Sequence, residues 1–177
     1  MNVLVEISGH QNANYTVDAT GVTHRFSLID TTPSVTPSGT IIDQYGNIDA
    51  TKFPFVDGYG PNIDTTFRIA GAVLGNDGAL YPVRWATATE CSGSGPNANV
   101  GYGWFTDSEA PGSPKKAIAD MWFTQSDSTH ITLDDNLEDG APYCYSLGFV
   151  VLDIMGPGSV TYVTIDPRIV TPPPIGQ

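Results

Sequence analysis

Strict alternation marks the first residues of the chain. Val3, Val5 and Ile7 fall on one side and Leu4, Glu6 and Ser8 on the other, the period-two pattern of a strand with one buried face. Further runs rich in β-branched and aromatic residues recur at 24–29, 39–42, 66–74, 80–87, 99–105, 119–124, 129–133, 143–153 and 159–165. Asn76-Asp77-Gly78, Asp139-Gly140 and Gly156-Pro157-Gly158 separate several of them, supplying the positive φ or fixed proline bend that a tight turn needs. No long segment carries a 3.6-residue apolar period with caps at both ends. The nearest helical candidate is residues 114–120, Pro-Lys-Lys-Ala-Ile-Ala-Asp, one or two turns. The pattern predicts an all-β, single-domain antiparallel β-sandwich, Ig-like or jelly-roll-like, of about nine or ten strands.

Two segments stand outside this alternation. Residues 30–61 are rich in Pro, Gly, Asp and Thr and read as a long loop with one short strand, inside a sandwich domain over residues 1–170. Residues 171–177, Thr-Pro-Pro-Pro-Ile-Gly-Gln, cannot join a central strand and read as an extended C-terminal arm. Residues 143–153 are apolar on both sides, with Tyr145, Leu147, Phe149 and Val151 against Val150 and Leu152. Such a strand is either central beneath covering chain or buried in an interface.

Composition agrees and narrows the partners. At 177 residues, 40% hydrophobic and only 15% charged, the chain is long and apolar enough to bury a core. Gly 19 and Pro 14 fit many turns. Nineteen acidic residues against seven basic ones give a net charge of −12. A surface of that sign repels phosphate backbones and anionic lipid, so neither nucleic acid nor membrane is an expected partner. No basic leader followed by a long apolar stretch opens the chain, so the expected location is cytoplasmic, with a mature secreted chain as the alternative. Cys91 and Cys144 show no metal-ligand spacing and read as buried thiols.

Few residues suggest chemistry. Asp134, Asp135, Asn136, Glu138 and Asp139 gather hard oxygen ligands of the type calcium takes. Asp139 nonetheless stands where an EF-hand loop needs glycine, and the alternative is a solvated hairpin loop. The metal candidates are therefore Asp134, Asn136, Glu138 and Asp139. His10, His24 and His130 form no close pair, and no histidine follows either cysteine at blue-copper spacing. Serines lack the Gly-x-Ser-x-Gly elbow, so no catalytic residue is singled out and an enzyme is not expected. In Gly101-Tyr102-Gly103-Trp104 the glycines leave two aromatics relatively free, and Tyr102 and Trp104 are the candidate sugar-stacking surface.

The opening Val3-Leu4-Val5, the central Tyr81-Pro82-Val83-Arg84-Trp85-Ala86-Thr87 and the closing Ile165-Asp166-Pro167-Arg168-Ile169 resemble the bacterial inclusion-body protein family of the AidA and PixA type. Arg84, Trp85, Asp166 and Pro167 match that family's motif. Ile165 stands where the family often has an aromatic, and the acidic loop at 134–139 looks longer than usual. The resemblance implies a β-sandwich made in bulk and held in cytoplasmic inclusions, without an established catalytic role. Two functions follow as expectations: a non-enzymatic, self-assembling structural or storage-like protein with no cofactor, or a calcium-assisted carbohydrate-binding module.

Overall fold

The computed structural model describes residues 2–11, 22–30, 47–52, 64–90, 101–108, 113–137 and 139–171. Twelve strands run through them: β1 (Asn2–Gln11), β2 (Val22–Asp30), β3 (Ile48–Asp49), β4 (Thr65–Leu74), β5 (Leu80–Trp85), β6 (Gly103–Thr106), β7 (Lys115–Lys116), β8 (Met121–Gln125), β9 (His130–Asp135), β10 (Pro142–Leu152), β11 (Val160–Ile165) and β12 (Arg168–Val170). Strands β3 and β7 are two residues long, which leaves ten of ordinary length. The only helical element among the described residues is a single 3₁₀ turn at Ala50–Lys52. The expected strand at 39–42, most of the 30–61 loop and the arm beyond Thr171 lie outside the described residues. Among the described residues no helix is long and apolar enough to cross a membrane.

The architecture is all-β and sandwich-like, built from two layers that share one strand. In the first layer β4 is central. It pairs with β1 along one side, and on the other with β9 at its start and β5 at its end. In the second layer β10 is central, with β12 and β11 along one side and β6 and β5 along the other. Strand β5 belongs to both: Leu80, Tyr81 and Pro82 ladder with β4, and Val83, Arg84 and Trp85 ladder with β10. A strand that changes sheets in this way makes the corner of a sandwich.

Between the layers lies one apolar core. Val5, Phe67, Ile69, Ile131 and Leu133 come from the first layer and Trp85, Phe105, Tyr145, Leu147 and Phe149 from the second. The Tyr145 ring spans the gap, its centroid 6.0 Å from Phe67 and 6.0 Å from Phe123. Burial of its hydroxyl pushes the phenol well above its ordinary value.

Two departures from the sequence reading have physical causes. The pairing is not antiparallel throughout: β1 runs parallel to β4, with Val5 opposite Ile69, and β12 runs parallel to β3. Alternation along β1 reports which side chains share a face, and says nothing about the direction of the neighbouring strand. Residues 114–120 are not a helix. Lys115–Lys116 pairs with β6, Ile118 bridges to Met121, and Asp120 turns the chain at φ 64°. One or two turns of helix cannot repay the cost of nucleation without an apolar face to dock, so the segment takes the ladder bonds that β6 offers.

Strand β10 settles the question raised by its two apolar sides. Ser146, Gly148 and Val150, on the side away from the core, are as buried as Tyr145, Leu147 and Phe149 facing it. At these positions the second side is covered by this chain's own residues, so β10 is central there, and only its end at Leu152 is half-buried.

Candidate functional site

The outer side of β10 brings together three residues singled out in the sequence. Antiparallel partners point to the same side of a sheet, and alternate residues of one strand do too. Trp104 lies opposite Ser146, and Arg84 and Tyr162 lie opposite Val150. Asp166 accepts a hydrogen bond from Ser146 Oγ at 2.5 Å. Arg84, Trp104 and Asp166 therefore surround Gly148, which sits at the junction where β10 changes neighbours from β6 to β5. Its N–H donates to the Tyr102 carbonyl at 2.9 Å, and its carbonyl accepts from Ala86 N at 3.0 Å.

Arg84 closes the base of the chain excursion that leaves β5 and returns to β6. Its guanidinium grips Glu90 with two parallel bonds, Nη1 to Oε2 at 2.9 Å and Nη2 to Oε1 at 2.8 Å, while Nη1 also reaches the Trp85 carbonyl at 2.9 Å. Glu90 Oε2 accepts from Thr87 N at 2.7 Å, and the Glu90 carbonyl accepts from Gly101 N at 3.0 Å. A planar, bidentate, three-quarters buried pair of this kind holds geometry better than an exposed ion pair. The Arg84 bonds outweigh partial burial and, with the Thr87 amide, bring the Glu90 carboxyl down from 4.5 to about 2.

The sign of the resulting pH dependence follows. A carboxyl depressed on folding adds stability above its ordinary value of 4.5 and loses that contribution as pH falls toward about 2. Glu90→Gln should therefore be less stable than wild type at about pH 6, with the gap markedly narrower at about pH 3, in urea melts run at both. A gap of equal size at both would show that the charge plays no part.

Asp166 and Pro167 shape the corner between β11 and β12. The Pro167 carbonyl accepts from Tyr145 N at 3.0 Å, so the corner is bonded directly to β10. Burial raises the Asp166 carboxyl above its ordinary value, and the Ser146 bond offsets this only in part. Ionisation of Asp166 thus opposes folding as pH rises, the reverse of Glu90. The Ser146 hydroxyl donates directly to the Asp166 carboxylate and so ties the outer side of β10 to the corner between β11 and β12.

The two aromatics proposed as a sugar platform are not presented to solvent. Trp104 is 5% exposed on the outer side of β10, its Nε1 buried with no hydrogen-bond partner among the described residues. Tyr102 is half-buried, and its hydroxyl donates to the Phe123 carbonyl at 3.4 Å. The flanking glycines serve close packing instead of exposure. A Cβ on Gly103 would sit 2.7 Å from the Phe123 ring, and one on Gly101, at φ 69°, would sit 2.9 Å from Thr87 O.

Carboxylates of the acidic loop are occupied by the chain's own donors. Asp134 accepts from Thr124 Oγ1 at 3.0 Å, and buried Asp135 accepts from Leu137 N at 3.0 Å. Asp139 accepts from Ala141 N at 2.8 Å, from Thr171 Oγ1 at 2.7 Å and from the Tyr143 hydroxyl. Burial works against ionising Asp139, but those three donors prevail and hold it below its ordinary value. Burial and the Asp139 bond together push the Tyr143 phenol up to about 12. Asn136 is exposed, and its N–H donates to the Asp120 carbonyl at 3.0 Å. Glu138 and Cys91 lie outside the described residues. Among the described residues no three His, Cys, Asp or Glu side chains stand together as a metal-ligand set. The loop acts as a hydrogen-bonded knot that ties the base of the C-terminal arm, through Thr171, to the start of β10.

What the sequence reading missed is Glu90, the partner that gives Arg84 its purpose, and Ser146, the partner of Asp166. Neither carries a motif, and each meets its partner only once β5, β10 and β11 are in register. No family model, characterised protein or solved structure matches this chain.

Proposed function

We propose that this protein is a non-enzymatic, self-assembling structural or storage-like protein of the inclusion-body kind that its sequence resembles, held in the cytoplasm. One observation carries the reading. Leu152 on β10 and Val160 on β11 stand opposite one another on the outer side of the second layer, and Leu80 and Pro82 lie on the part of β5 that has crossed to the first. Leu80 is 71% exposed and Val160 50%, and none of the four is charged. An apolar row on a chain of net charge −12 is a surface that a second, equally acidic copy can share. Self-repulsion opposes that contact at neutral pH and fades as the pH approaches the sequence pI of about 4.2.

Light scattering on purified protein between about pH 4 and about pH 8 tests this. The expected result is reversible growth in mass at low pH and high concentration, abolished in the double variant Leu80→Asp, Val160→Asp at unchanged melting temperature. A strict monomer at every pH and concentration would end the reading. Calcium-assisted carbohydrate binding draws no comparable support, because Asp134, Asp135 and Asp139 each accept a hydrogen bond from within the chain and Trp104 is buried.

A further inference from the structure

At the end of the sandwich where the core stops, a cleft of about 540 Å³ opens between two turns. Asp77 of the β4–β5 connection and Tyr81 of β5 form one wall. Asp153, Met155 and Pro157 of the β10–β11 connection form the other, with Ile154 beneath. From this geometry we infer that the cleft binds a small organic cation, an alkyl- or quaternary ammonium ion, held between the Tyr81 ring and the carboxylates of Asp77 and Asp153.

The walls are fixed in place. Gly75 N–H donates to Ala79 O at 2.8 Å and Gly78 N–H to Gly75 O at 3.0 Å, which closes the first turn. Asp77 accepts from Ala79 N at 3.0 Å and from the Tyr81 hydroxyl at 2.6 Å, so the ring is pinned by its own oxygen. A Cβ on Gly75 would run into that ring, which therefore lies against bare backbone. Opposite, Asp153 ends β10 at φ 60° and accepts from Gly158 N at 2.6 Å. Val83 pairs with Val151, and Tyr81 and Asp153, each two residues beyond that pair, line the same cleft.

Chemistry selects the ligand class. The volume suits a small molecule. Met155 is 49% exposed, and it joins Pro157 and Ile154 in an apolar floor that suits methyl or methylene groups. None of the lining residues is basic, and the chain as a whole carries −12, so the cleft attracts cations and repels anions. An aromatic face beside carboxylates is the arrangement that favours an ammonium ion. The bonds from Tyr81 and Ala79 hold the Asp77 carboxyl below its ordinary value, and the bond to Asp77 in turn raises the Tyr81 phenol above its own. A neutral sugar fits less well, since it needs donors as well as acceptors and the one hydroxyl in the cleft is already given to Asp77.

Choline and its uncharged isostere 3,3-dimethylbutan-1-ol are the discriminating pair, titrated into dilute ¹⁵N-labelled protein, with methyl α-glucoside as a third probe. Choline should shift the amides of residues 77–81 and 153–158 saturably, and the isostere should bind at least about tenfold more weakly. Tyr81→Ala and Asp153→Asn should each weaken choline at least about fivefold. Asparagine tolerates positive φ and keeps the acceptor for Gly158, so Asp153→Asn should melt normally and remain interpretable. Equal affinity for choline and its isostere, sugar binding without choline binding, no binding, or variants that bind choline like wild type would each overturn the assignment. None of these results bears on whether the apolar row drives assembly.

Discussion

Trp85→Ala is expected to cost about 3–5 kcal/mol of folding stability and to lower the melting temperature by about 10 °C. The side chain is fully buried, lies opposite Phe149 on the core side of β5, and fills the corner where the two layers meet. Its Nε1 donates to Thr129 O at 3.1 Å and Phe67 O at 3.3 Å, so the indole joins the second layer to the first. Alanine leaves a cavity and two carbonyls short of a donor, and both terms act in the same direction. Trp85→Phe should retain most of the packing and lose only the hydrogen bonds, at a cost of about 1–3 kcal/mol. Calorimetry separates the two. A Trp85→Ala melt within the error of wild type would refute the view of Trp85 as the plug between layers.

Gly148→Ala should destabilise by about 1–3 kcal/mol, the penalty of overpacking a close contact. A Cβ at this position would run into the Gly101 carbonyl and the Tyr162 hydroxyl, while Tyr162 OH itself donates to Gly101 O at 2.5 Å. Tyr162→Phe removes the hydroxyl but not the carbonyl, so in the double variant it should relieve part of the cost. A double-mutant cycle by urea denaturation should therefore give a coupling energy of about 0.5–1 kcal/mol or more. Strict additivity would mean that the chain over Gly148 moves aside freely, and that the covered side of β10 is not closely packed.

Much of this fold could be read from local pattern, and its limits are informative. The first strand, the turns at Asn76-Asp77-Gly78 and Asp139-Gly140 and the core placement of Trp85 are all legible in short runs of sequence, although Trp85 itself is held by the distant carbonyls of Phe67 and Thr129. The parallel course of β1 beside β4 could not be read, because side-chain period does not encode strand direction. Gly101 and Gly103 beside Tyr102 and Trp104 suggested freedom, yet those glycines make room for Phe123 and for the Thr87–Ala88 backbone. At the acidic loop, the decisive donors Thr124, Tyr143 and Thr171 come from three separate elements, so carboxylates that looked available are in use. The cleft was invisible for the same reason: Asp77 and Asp153 face each other only because β5 pairs with β10.

The split allegiance of β5 also bears on how the molecule comes apart. Three of its residues are hydrogen-bonded to one layer and the next three to the other, and Ser128 and Thr129 of the β8–β9 hairpin bond across to Trp85 and Ile69. Neither layer can peel away while the other stays intact. The slowest-exchanging amides of β4, β5 and β10 should accordingly share one opening free energy, and the chain should unfold as a single unit rather than one sheet at a time.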